Sequence, residues 1–75
     1  MPRIAMFSRF ALYMYANDHG VPHVHIESVA GRASIAIDDG RLIVGDVPAA
    51  MVRQTREWVA QHRDDLKNRW KELHS

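Results

Sequence analysis

From Ala49 to Leu73 the chain contains neither glycine nor proline, and Val52, Val59, Leu66 and Leu73 recur through it every seven residues. Apolar residues on that period share one side of an α-helix, so this half of the chain is committed to an amphipathic helix. Met51, Thr55, Trp58, His62 and Trp70 flank the same stripe. A continuous helix over 49–73 would run roughly 37 Å at 1.5 Å per residue, more than a sheet of short strands needs. The excess either projects and pairs with another chain, or the helix breaks near Arg63-Asp64-Asp65.

The first half changes period every few residues, as short strands joined by turns do. Arg3 to Phe7 reads as a strand behind Pro2. From Phe10 to Tyr15, Phe10, Leu12 and Met14 alternate with Ala11, Tyr13 and Tyr15, giving one aliphatic face and one phenolic face. Asn17 to Pro22 is a series of turn formers, after which His23-Val24-His25-Ile26-Glu27 alternates strictly. That alternation puts His23, His25 and Glu27 on one face and Val24 and Ile26 on the other. Gly31 is read as beginning a turn, Ala33, Ile35 and Ile37 as pointing inward, and Asp39-Gly40 as a hairpin before Arg41 to Gly45. Asp46 or Val47 can cap the helix, with Pro48 in its first turn. The expected architecture is α+β: one domain over 1–75, with a small antiparallel sheet of four to five short strands in 3–45 packed against one long C-terminal helix over 49–73.

A chain of 75 residues buries only about 60% of the surface that its unfolded form exposes, so a partner or a second copy would add stability. No cysteine is present, which excludes disulfides and thiolate metal sites, and no long apolar run suggests a membrane anchor; a cytoplasmic setting is expected. Ten Lys and Arg against nine Asp and Glu leave no general basic field, so any nucleic-acid binding must be local. Eight of those ten are arginines, and Arg53, Arg56 and Arg63 share one side of the helix, where they could meet phosphates or remain a solvated face.

The chemistry concentrates in Asn17-Asp18-His19-Gly20-Val21-Pro22-His23-Val24-His25, which holds three of the five histidines. Residues two apart on a strand lie about 6.5 to 7 Å from one another on the same side, so His23 and His25 can converge. Three readings follow. In the first, the imidazoles bind a metal with Asp18, His19 or Glu27 as third ligand, leaving a position open for water. In the second, which needs no cofactor or metal, one histidine is base and the other acid on a phosphodiester, Asp18 or Glu27 orients them, and Tyr13 and Tyr15 hold a stacked base with His19 nearby. In the third, Asp18 and His19 cap the turn and the strand histidines are architectural. His62 reads as a satisfied core residue, His74 as part of a fraying end, and Trp58 and Trp70 as packing against the sheet.

Met1-Pro2-Arg3-Ile4, Tyr13-Met14-Tyr15, Asn17-Asp18-His19 and Pro22-His23-Val24-His25 together resemble a bacterial family known as domain of unknown function number forty-one sixty. Ile35-Ala36-Ile37-Asp38, Gly45-Asp46-Val47-Pro48, Glu57-Trp58, His62-Arg63-Asp64-Asp65-Leu66 and Trp70 extend the resemblance over nearly the whole chain. Val21 and Val24 depart from it, where a proline and an aromatic are usual. The resemblance implies no settled activity, but such proteins are often encoded beside another small protein, as in a toxin and antitoxin pair. The leading expectation is therefore the toxin half of such a pair, a metal-independent ribonuclease using His23 and His25, with a small cognate protein or a second copy as partner. The alternatives are a non-enzymatic module binding protein or nucleic acid, and a metal-binding hydrolase.

Overall fold

Five strands, β1 (Arg3–Met6), β2 (Ala11–Tyr13), β3 (His23–Ser28), β4 (Gly31–Ala36) and β5 (Leu42–Gly45), form one sheet in the order β1-β2-β3-β4-β5. All four pairings are antiparallel. Two helices follow, α1 (Ala49–Gln61) and α2 (Arg63–Leu73). This computed structural model describes residues 3–74, so Met1 and Pro2 of the opening motif, and Ser75, lie outside the described residues.

The α+β architecture is the expected one, but the helix is not continuous. At His62 the backbone opens to φ −122° and ψ 20°, and the imidazole Nδ1 donates to the carbonyl of Trp58 at 2.8 Å while its ring stacks on the Trp58 indole at 4.3 Å. A side chain that competes for an intrahelical carbonyl weakens helix continuation there. Asp64 and Asp65 then fall in the first turn of α2, where their charge suits the helix dipole. The break folds the helical half back on the sheet. The molecule's longest dimension is 33 Å, with no 37 Å rod, and Val59 and Leu66 are buried in the chain's own core instead of offering a seam to another chain. Leu73 is partly exposed.

That core joins Leu12, Val24, Ile26, Ile35 and Ile37 of the sheet half to Met51, Val59, Leu66 and Trp70 of the helices. Phe7 stacks on Phe10 at 4.5 Å and meets Trp58 edge-on, closing one end. Arg56 Nε donates to the Gly40 carbonyl at 2.6 Å and Arg63 Nε to the Ile37 carbonyl at 2.7 Å, so two of the four helix arginines fasten the helices to the loop before β5.

Several boundaries differ from those the sequence suggests, each for a local reason. β2 ends at Tyr13, short of Tyr15, because the Tyr15 amide turns to the Asp18 carboxylate and the Tyr15 carbonyl accepts from the Asp18 amide. Gly31 opens β4 and does not begin a turn; the turn is Val29-Ala30, with Ser28 Oγ donating to the Gly31 carbonyl. Neither Asp46 nor Val47 caps α1: Pro48 occupies the N-cap position with no side-chain bond. Gly45, at φ 112°, is required, since a Cβ there would overlap the Arg32 carbonyl and the Ala33 Cα. Among the described residues no helix is long and apolar enough to cross a membrane.

Candidate functional site

Strand alternation sends Leu12, Ile26 and Val24 toward the helices and leaves Tyr13, His25 and Ser34 on the opposite face. Register places those three side by side, Tyr13 opposite His25 and His25 opposite Ser34, with Val44 beyond. Around them lies a groove of about 410 Å³ lined by Tyr15, His25, Glu27, Arg32, Ala33, Ser34, Val44 and Gly45.

The turn from Tyr15 to Pro22 folds back over the start of β3 and delivers Asp18 to both strand histidines. His25 Nε2 lies 3.0 Å from Asp18 Oδ1 and His23 Nε2 lies 3.8 Å from Asp18 Oδ2. Only 11% of the Asp18 side chain is exposed, and the same is true of His23, against 25% for His25. Burial by itself raises the Asp18 carboxyl, but the Tyr15 amide and the His25 and His23 imidazoles more than offset it and hold the group below its ordinary value. Asp18 is therefore a carboxylate that can only accept, so His25 Nε2 carries the proton of that hydrogen bond and the neutral ring leaves Nδ1 bare, facing Ser34 Oγ at 3.4 Å. His23 has the opposite tautomer: its Nδ1 donates to the Val21 carbonyl at 2.7 Å, which leaves Nε2 turned toward Asp18.

The two imidazoles do share a side, as strict alternation requires, with ring centroids 4.9 Å apart. They are not equivalent. His23 sits against Trp70 at 5.1 Å, whereas His25 lines the groove. Both rings aim at one carboxylate, that of Asp18. The expected roles also divide differently: Asp18 positions both histidines, while Glu27 accepts from the Tyr15 hydroxyl at 3.0 Å and pairs with Arg32 at 3.1 Å. Burial, then the bond to Glu27, raises the Tyr15 phenol above its ordinary value, so it stays protonated. Tyr13 and Tyr15 stack at 5.9 Å with planes 4° apart, and Tyr15 meets His25 edge-on at 5.0 Å. His19 is exposed and stands outside the cluster.

The family model for a domain of unknown function, DUF4160, matches residues 9–71, which include Asp18, His23, His25 and the groove lining. The chain belongs to that family. No curated protein and no solved structure matches it. In this DUF4160 domain three contributors escape a reading of the sequence. Ser34 reaches His25 only through strand register, and Trp70 covers His23 only because α2 folds back. His74, far from fraying, stacks on Trp70 at 4.1 Å and places Nε2 2.9 Å from the Asp18 carbonyl, tying the end of α2 to the site turn. The one signal that could have flagged it is its i+4 spacing from Trp70, the same spacing that joins His62 to Trp58.

Proposed function

We propose that this domain is the RNA-acting half of a bacterial toxin and antitoxin type pair, working in the cytoplasm, and that His25 is its proton-transfer group. The observation that carries the reading is the Asp18–His25 dyad opening into the groove: a fixed carboxylate at Nε2 leaves Nδ1 as the base. Tyr13 and Tyr15 supply parallel rings beside it on which a base can stack, and Arg32, 81% exposed at its side chain, supplies a guanidinium for phosphate. Cleavage would use the RNA's own 2′-hydroxyl, its proton passing to His25 Nδ1 while the departing 5′-oxygen takes one from water. His23, packed under Trp70, is then a positioning residue.

The test is RNA cleavage and growth inhibition by His25→Ala and Tyr13→Ala variants with native circular dichroism. Loss of both activities in His25→Ala is expected; unchanged cleavage in a folded His25→Ala protein refutes the assignment.

A second reading, a non-enzymatic module docking to a cognate protein or a second copy, is favoured by one feature. Leu42, Ile43 and Val44 of edge strand β5 are exposed by 42, 42 and 64%, a surface that a further strand could cover. Under that reading Ile43→Lys, at an exposed β5 residue outside the groove lining, abolishes association and leaves any RNA cleavage untouched.

A further inference from the structure

The Asp18, His23 and His25 cluster has the composition of a cation site as well as a proton relay. We infer that it binds a divalent first-row transition ion, with Asp18 and the two Nε2 atoms as ligands. This goes beyond the RNA reading and stands on ligand chemistry alone.

The first support is convergence. Among the described residues these three form the one group of metal-ligating side chains whose donor atoms gather, all within 4.8 Å of one another. Zinc holds imidazole nitrogen and carboxylate oxygen at about 2.0 to 2.2 Å, so tetrahedral neighbours stand about 3.4 Å apart. The observed 3.0 and 3.8 Å from Asp18 to the two imidazoles straddle that value. A small rotation of His25, which is partly buried and faces the groove, would close the remainder.

The second support is the tautomer of His23. Its Nδ1 proton is spent on the Val21 carbonyl, so in the neutral ring the Nε2 lone pair looks at a carboxylate oxygen 3.8 Å away, beyond hydrogen-bond reach. Two lone-pair-bearing atoms held face to face are satisfied by a shared hydrogen-bond donor or by a metal ion between them, and a metal ion bonds both directly. A backbone carbonyl on the far nitrogen is also how metal-bound histidines are oriented. Ser34 Oγ can do the same for His25, since metal at Nε2 transfers the ring proton to Nδ1.

The third support is hardness. Two imidazoles and one carboxylate suit zinc, cobalt, nickel or ferrous iron rather than magnesium or calcium, which take oxygen ligands. Three protein ligands leave a coordination position for water, on the His25 side where the site is most open.

Binding has a consequence for His25. Its bare nitrogen moves from Nδ1 to Nε2, so the metal-loaded and proton-transfer states of this ring exclude each other.

The experiment titrates Zn²⁺ into the full-length chain, purified without an affinity tag and stripped with chelator, by calorimetry and by ¹⁵N spectra of the imidazoles. One ion per chain is expected, together with a switch of the His25 tautomer. Asp18→Asn and His25→Gln should each weaken binding about tenfold or more, and Ser34→Ala about tenfold, whereas His62→Gln should leave it unchanged. His25→Gln is the informative variant, because His23 packs against Trp70 and its loss could unfold the domain. Unaltered affinity in a folded His25→Gln protein, or no binding with an unchanged His25 spectrum, overturns the inference. Loss of RNA cleavage as a property of the protein would not, because zinc binding is read without it.

Discussion

Asp18→Asn removes one charge and no volume, and its cost can be worked from the contacts. The wild-type carboxylate accepts from the Tyr15 amide at 3.0 Å and from His25 Nε2 at 3.0 Å, and faces His23 at 3.8 Å, in a side chain only 11% exposed. An asparagine has one acceptor oxygen. If that oxygen keeps the Tyr15 amide, its NH₂ points at His25 Nε2, and the imidazole must adopt the other tautomer to accept. Two bonds to a charged acceptor, worth about 1.5 to 3 kcal/mol each, become neutral bonds worth about 0.5 to 1.5 kcal/mol. The expected destabilisation is about 2 to 3 kcal/mol, a large part of the roughly 4 to 11 kcal/mol available to a domain of this length. Urea denaturation at neutral pH should show it as a lower midpoint with an unchanged slope. The pH dependence supplies an independent check. Asp18 is held below its ordinary value of 3.8 in the folded state, so the stability it contributes is present above that value and is lost as pH falls through its depressed folded-state pKa. The gap between wild type and Asp18→Asn should therefore close in strongly acidic buffer, where wild-type Asp18 is itself uncharged. A destabilisation under about 0.5 kcal/mol at neutral pH, or a gap that does not change with pH, would refute the reasoning.

Gly45→Ala should cost about 3 kcal/mol or more, since a Cβ at φ 112° meets the Arg32 carbonyl and Ala33 Cα of the neighbouring strand; thermal denaturation would register it as a large fall in Tm. Leu66→Ala opens a cavity beneath α2 and should destabilise by about 2 to 5 kcal/mol in urea, with a fall to monomer-like association having no part in it because the side chain is buried within one chain. Arg63→Ala leaves the Ile37 carbonyl without its donor and should lower stability by about 1 to 3 kcal/mol, with faster amide exchange in the loop before β5 as the local readout.

Sequence by itself determined the alternation of His23, Val24, His25 and Ile26, because side chains on an extended segment must alternate, and it determined the helical stripe through Val59 and Leu66, because glycine and proline are absent there. Those two periodicities are enough for the α+β class and for two imidazoles on one face. They do not fix length where a side chain competes with the backbone: His62 ends α1 by bonding the Trp58 carbonyl, and Asp18 ends β2 early by capturing the Tyr15 amide. Only the tertiary structure decided what His23 and His25 each became. Asp18 comes from seven residues away in sequence, Ser34 from the neighbouring strand, and Trp70 from the far end of the chain. Periodicity reports which way a side chain points from its own backbone, whereas tautomer and burial depend on what the rest of the chain brings opposite it. That is why one imidazole lies under an indole and the other opens into a groove.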